Sequence, residues 1–301
     1  MFKVHERIRR AMEEGKPVVA VESTLLTHGL SHPFSLEMVL EIEKTIAARG
    51  AVPALVAVAG GEIRIGLDRE EMEALAQSPG RTKISLADLG PAAAKGWDGG
   101  TTAASTAWIA AKQGIRTVLA GGLGGVHREV LETWDISNDL CVMQQAPVLM
   151  VCGGIKSFLD IGKSLEALET LGVPYWSYGS DRFPGYFVKH SPFPAPSVSA
   201  PEEAAAMAAA HWRLGLTSGI VLGVPIPDEY AFSAGLMEAA VREVLGDPRL
   251  KGAGKNITPM IIKAMETITG GKSAESNRAL LINAAGVAAE TAAALAKQEL
   301  P

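Results

Sequence analysis

Val18-Val19-Ala20-Val21-Glu22-Ser23-Thr24 is the stretch from which the fold is read. An unbroken apolar run rich in β-branched residues predicts a strand buried on both faces. It ends abruptly in a carboxylate and two hydroxyls, so the chain leaves the core at a group with chemistry. Downstream, Met38, Val39, Ile42 and Ile46 follow helical spacing over 35–46, and Gly50 sits where a C-terminal cap belongs. Leu55-Val56-Ala57-Val58, Gly60-Gly61 and Glu62-Ile63-Arg64-Ile65 predict a small β-hairpin. Asp68 with Glu71 then reads as a capping box.

The alternation continues to the end of the chain. A helix over 103–113 precedes a strand over 117–120, and a strand over 148–152 precedes a helix over 157–171 stopped at Gly172. A strand over 220–222 is followed by three further helices, the last over about 276–297 and rich in alanine. Residues 183–201 carry five prolines and read as a surface loop or lid. No repeat of fixed period is present. The expectation is one α/β domain over 1–301, with a central, mostly parallel or mixed sheet between helical layers and one small hairpin.

Composition narrows the function. The chain has 301 residues, 48% hydrophobic and 20% charged, within the range of globular domains. No window holds the roughly 18 consecutive apolar residues of a membrane span. The N-terminus alternates charged with apolar residues and does not read as a secretory signal. A net charge of −5 gives no general field for nucleic acid, and a membrane partner is not expected either. Cys141 and Cys152 flank no partner cysteine or histidine pair, so both are expected to be buried thiols, in keeping with a reducing cytoplasm.

Three strands run directly into reactive groups, and in open α/β sheets ligands bind beyond the carboxyl ends of strands. Glu22 is expected to be desolvated, which raises a carboxyl pKa and suits a general acid; an ion-paired strand end is the alternative. Lys156 follows Gly153-Gly154-Ile155 and falls between a buried strand and the expected helix. A helix dipole and apolar surroundings there favour the neutral amine, a nucleophile for a carbonyl carbon. A phosphate-anchoring lysine fits the same residues. Gly121-Gly122-Leu123-Gly124-Gly125 could aim backbone N–H groups at an anion, but its spacing is neither a Walker loop nor a dinucleotide fingerprint. Asp135, Ser137, Asn138 and Asp139 supply oxygens suited to Mg²⁺ or Mn²⁺, or caps for a helix. His28 and His32 do not form a helical zinc pair, because Gly29 and Pro33 interrupt them.

In order along the chain, 21–29 (VESTLLTHG), 121–128 (GGLGGVHR), 135–137 (DIS) and 156–162 (KSFLDIG) resemble the pseudouridine-5′-phosphate glycosidase family. Gly223-Val224-Pro225-Ile226-Pro227, Thr258-Pro259 and Thr269-Gly270-Gly271-Lys272-Ser273 extend the resemblance from about Pro17 to the last helix. It implies a Schiff-base lysine at Lys156, a proton donor at Glu22 and a manganese-associated aspartate at Asp135. Substrate contacts are implied at Ser137, Asn138 and Asp139, on the phosphate side at Lys83, and at Ala103 after Thr101-Thr102. His127 and Asn277 are expected to face the same site. A homotrimer acting on pseudouridine 5′-phosphate, uracil and ribose 5-phosphate, with Mn²⁺ or another divalent cation, is implied as well. The chain departs from the family pattern at Ala120, where threonine is usual, and at Trp134, where phenylalanine is usual. Ile84-Ser85-Leu86-Ala87-Asp88 likewise replaces a basic stretch after Lys83.

The activity so implied is reversible cleavage of a C–C glycosidic bond. Such a bond has no exocyclic oxygen to protonate, so the two-carboxylate scheme of ordinary glycosidases does not serve. An iminium at C1′ does. A class I aldolase using the same lysine, and a non-catalytic sugar-phosphate binding protein, are the alternatives.

Overall fold

A computed structural model describes residues 1–247 and 257–300. The strands are β1 (Phe2–Val4), β2 (Val18–Glu22), β3 (Val52–Ala59), β4 (Glu62–Ile65), β5 (Thr82–Ile84), β6 (Gly99–Thr101) and β7 (Thr117–Leu119). They continue as β8 (Val126–His127), β9 (Leu149–Cys152), β10 (Leu159–Asp160), β11 (Tyr175–Tyr178), β12 (Ser197–Val198) and β13 (Ile220–Gly223). Eleven of them form one mixed sheet in the order β1-β4-β3-β2-β7-β9-β13-β11-β12, with β6 beside β3 and β5 beside β6. From β3 through β2, β7, β9, β13 and β11 to β12 every pairing is parallel. The hairpin β3–β4 is antiparallel, in the expected register around Gly60-Gly61. β8 and β10 form a separate antiparallel pair.

Alternation within the central strands produces the layers. In β2, Val18 and Ala20 join one apolar cluster while Val19 and Val21 join another. In β9, Met150 and Cys152 face the first and Leu149 and Val151 the second. Successive side chains of a strand point to opposite faces, so both faces of the sheet are dry and helix-covered. Helices Ala103–Lys112 and Asn138–Met143 cover one face; Phe34–Ala48, Pro201–Arg213 and Lys272–Leu295 cover the other. The capping box at Asp68–Glu71 and the left-handed Gly50 and Gly172 are where the sequence puts them.

Several expectations are corrected. The helix expected over 157–171 begins only at Ile161, because Asp160 accepts the backbone N–H of Lys163 and caps it there. Lys156 therefore lies in the turn before β10, away from the helix dipole. Residues 183–201 are only partly surface: Phe183, Tyr186 and Phe187 are buried. Cys152 is buried, but Cys141 is exposed on its short helix. Lys272–Leu295 is long and apolar enough to cross a membrane by length and composition, yet 67% of its apolar window is buried in the protein. The side chains of Thr258 and Pro259 lie outside the described residues.

Candidate functional site

Adjacent parallel strands create the site. Val21, Leu119 and Val151 lie side by side in β2, β7 and β9, so Glu22, the Gly121-Gly122 turn and the Gly153–Lys156 turn emerge together at one sheet edge. The chain passes from β2 outward to β3 and later returns to β7 on the other side. That reversal of direction opens a crevice at the carboxyl ends. The resulting cleft, about 310 Å³, is lined by Glu22, Lys83, Ala103, His127, Asp135, Ser137, Asn138, Asp139, Lys156 and Asn277. All ten residues singled out in the sequence share it. Thr24, His28, Ser85 and Tyr186 line it too.

Glu22 forms the floor. It is only 5% exposed, and Thr24 Oγ1 donates to its Oε1 at 2.8 Å. Burial raises its pKa above the ordinary 4.5, assisted by Asp139 and opposed by Lys156, Thr24 and Lys83. The carboxyl is thereby held toward its protonated form with a lysine in the same cleft. Cys152, beside them at the end of β9, has its thiol pushed up to about 11 by burial and is an inert packing group.

The rim is built differently. His127 N–H donates to the Asp135 carbonyl at 3.1 Å, and the two side chains approach to 3.7 Å. Burial lowers the His127 pKa against the pull of Asp135, favouring a neutral imidazole. Ser137 caps helix Asn138–Met143 by accepting the Asp139 N–H at 3.2 Å. Asp139 is 6% exposed, and its two oxygens accept the N–H groups of Ala104 at 3.0 Å and Gly124 at 2.8 Å. Its carboxylate thus ties the glycine loop to the start of helix Ala103–Lys112. A Cβ on Gly124 would lie 2.2 Å from Ser137 Oγ, so only glycine permits this junction.

Part of the glycine loop is committed to structure, while Gly121, Gly122, Gly124 and Gly125 all line the cleft. The N–H groups of Leu123, Gly124 and Val126 are taken by Gly154 O, Asp139 and Ser164. On the opposite wall stand Lys83 on β5, Ser85 and the start of helix Ala103–Lys112, whose Ala104 and Ser105 N–H groups are taken by Asp139 and Thr102.

The donor set for a divalent cation is small. Among the described residues no three His, Cys, Asp or Glu side chains converge. Asp139 is engaged with backbone, leaving the Asp135 carboxylate and the neighbouring His127. That pair fits an ion held largely through water and substrate oxygens, not one in a protein cage. Trp134 is 82% exposed and is not among the residues that line the cleft.

Tyr186 is the lining residue the sequence does not reveal. Its hydroxyl donates to Asn277 Oδ1 at 2.6 Å from a loop 91 positions away. Aromatic residues around Pro184 within the irregular stretch are the only local sign of it.

Known proteins bear on the assignment. Residues 7–294 match the family described as Indigoidine synthase A like protein. The chain is 47% identical over 298 residues to a pseudouridine-5′-phosphate glycosidase of Rhodospirillum centenum, covering 98% of this chain and 93% of the relative. It is 43% identical over 292 residues to that of Deinococcus radiodurans, covering 96% and 93%. The prealnumycin C-glycosynthase AlnA, solved in complex with ribulose 5-phosphate, superposes with a TM-score of 0.91 at 37% identity, covering 98% of this chain and 97% of that one. An indigoidine synthase A-like protein of Thermotoga maritima reaches the same TM-score at 28% identity, covering 99% and 97%. Sequence match, fold and full-length coverage agree: the chain belongs to the indigoidine synthase A-like family, the family of the pseudouridine-5′-phosphate glycosidases.

Proposed function

We propose that this enzyme reversibly cleaves the C–C glycosidic bond of pseudouridine 5′-phosphate, giving uracil and ribose 5-phosphate. The observation that carries the reading is a buried, protonation-prone Glu22 in one cleft with Lys156, beyond the carboxyl ends of two strands, β2 and β9, that flank β7. The names of the relatives and the C-glycosidic chemistry of the structural neighbour support it.

The Lys156 amine adds to C1′ and the ring oxygen departs as a hydroxyl, opening the ribose. Glu22 delivers a proton to C5 of the uracil ring. The C1′–C5 electron pair returns to the C5–C6 bond of uracil, and the Lys156 nitrogen lone pair closes the iminium on C1′. Water then adds to the iminium and releases ribose 5-phosphate, restoring the amine, and Glu22 regains its proton from solvent. Lys83 and Ser85, with Ala103 beside them, bind the phosphate. Ser137 and Asn138 face the sugar from the rim, while Asp139 holds the two walls together. A divalent cation such as Mn²⁺ would be held by Asp135 with His127 beside it, supplying positive charge for substrate oxygens when bound.

The working form we propose is a cytoplasmic homotrimer, on the strength of the family resemblance. The function is tested by incubating the protein with uracil, ribose 5-phosphate and Mn²⁺. A product with the mass of pseudouridine 5′-phosphate, resistant to acid cleavage of N-glycosides, is expected. An aldolase would give no such product and would instead split the sugar chain; a binding protein would leave both reactants unchanged.

A further inference from the structure

Tyr186 and Asn277 are held from both sides. The Tyr186 backbone is left-handed, with φ 62°, and its N–H donates to Gly153 O at 3.0 Å. Its ring lies on Gly122, where a Cβ would stand 2.6 Å from the ring edge, and meets Phe187 edge-on at 4.8 Å. Asn277 sits on helix Lys272–Leu295, whose next turn brings Leu280 against Gly153. Both side chains are 5% exposed. Between them runs the 2.6 Å hydrogen bond from Tyr186 Oη to Asn277 Oδ1.

That bond fixes which end of the carboxamide faces the substrate. With Oδ1 engaged, the Nδ2 donors have no partner among the described residues, and Asn277 lines the cleft. Burial pushes the Tyr186 phenol pKa well up, with Glu22 adding to the shift, so the hydroxyl stays a donor. A largely buried amide N–H₂ at the cleft wall favours a ligand that brings an acceptor and penalises one that brings a donor. Resting on the function proposed above, the base must place its C5 near Glu22, and the ring carbon beside C5 carries O4 in uracil. In a 4-aminopyrimidine the same position carries a donor.

We propose that Tyr186 is a positioning residue that locks the Asn277 carboxamide with its N–H₂ toward the base, so that the cleft selects a pyrimidine bearing a carbonyl next to the reacting carbon. Tyr186 touches no reacting atom in this arrangement; it sets specificity through Asn277.

The test uses Tyr186→Phe in the full-length enzyme with Mn²⁺, in the direction of synthesis. The ring keeps its seat on Gly122 and only the hydroxyl is lost. The expected result is a KM for uracil raised about tenfold, with the KM for ribose 5-phosphate unchanged and discrimination against cytosine as a competitor reduced. A uracil KM within about twofold of the parent overturns the proposal. Asn277→Asp provides the second variant, should the first fail to fold. It presents an acceptor where the amide presents donors, so cytosine is expected to gain on uracil as a ligand, and an unchanged preference overturns the proposal. Borohydride trapping of ribose 5-phosphate in the absence of uracil separates the two layers. A parent enzyme that traps no sugar phosphate overturns the functional reading and this one with it. Trapping together with an unchanged uracil KM overturns only this one.

Discussion

The floor and the rim of the cleft hold similar carboxylates by opposite means. On the floor, Glu22 ends a strand hydrogen-bonded on both sides, and its side chain has one hydroxyl partner in an otherwise dry setting. On the rim, Asp135 stands beside a two-residue strand with its side chain 39% exposed, and Asp139, four positions on, is 6% exposed with both oxygens bonded to backbone. A ladder-held, desolvated carboxyl is suited to moving a proton. A wet one is suited to a cation or substrate oxygen, and one engaged with two amides is suited to holding loops together. Residue type does not separate these roles; the partners of each oxygen do.

The largest effect belongs to the floor. Lys156→Ala is expected to lower kcat by about 10⁴-fold or more, with the thermal midpoint preserved, as loss of a covalent nucleophile does. Glu22→Gln is expected to cost about 10²–10⁴-fold in kcat, the usual range for a general acid. The same variant has a stability signature. The folded state raises the Glu22 pKa above the ordinary 4.5, so the protonated side chain is the favoured one in the fold. Its contribution is complete below that ordinary value and is lost as pH rises through the folded value. Glu22→Gln should therefore match the parent in Tm near pH 4 and exceed it at about pH 8. Equal midpoints at both pH values would contradict a desolvated Glu22.

On the rim the expected effects are smaller and divide between stability and binding. Asp139→Ala leaves the Ala104 and Gly124 N–H groups without their charged acceptor, and is expected to cost about 1.5–3 kcal/mol in urea unfolding. Asp135→Asn should leave unfolding unchanged and raise the Mn²⁺ or substrate concentration needed for half-maximal rate by about tenfold. If Asp135→Asn destabilised the protein while Asp139→Ala did not, the two roles would have to be exchanged.

The parts of the molecule legible in sequence are those governed by local pattern. β2, β9 and the β3–β4 hairpin declare themselves because buried parallel strands tolerate almost no polar residue, and because a Gly60-Gly61 turn permits few alternatives. Glu22 and Lys156 stand out for the same reason, as interruptions. The start of the helix after Lys156 was not legible, since Ser157, whose hydroxyl bonds Gly185 O, resembles a cap as closely as Asp160 does. The glycine loop is ambiguous for a similar reason. Glycine composition does not distinguish a backbone that approaches an anion from one that approaches Tyr186 and Ser137. Tyr186 itself depends on contacts with Gly122 and Asn277, far away in sequence, which no local pattern encodes. The resemblance adds the identity of the family, which local pattern alone does not supply.

The central claim is that Lys156, in the turn between β9 and β10, becomes covalently bonded to the sugar. The direct measurement is to mix the enzyme with pseudouridine 5′-phosphate and Mn²⁺, reduce with borohydride, digest, and map the added mass. The account predicts a pentose-phosphate adduct on Lys156 with free uracil in solution. Uracil release with no adduct on Lys156, or an adduct on Lys83 in its place, would contradict it.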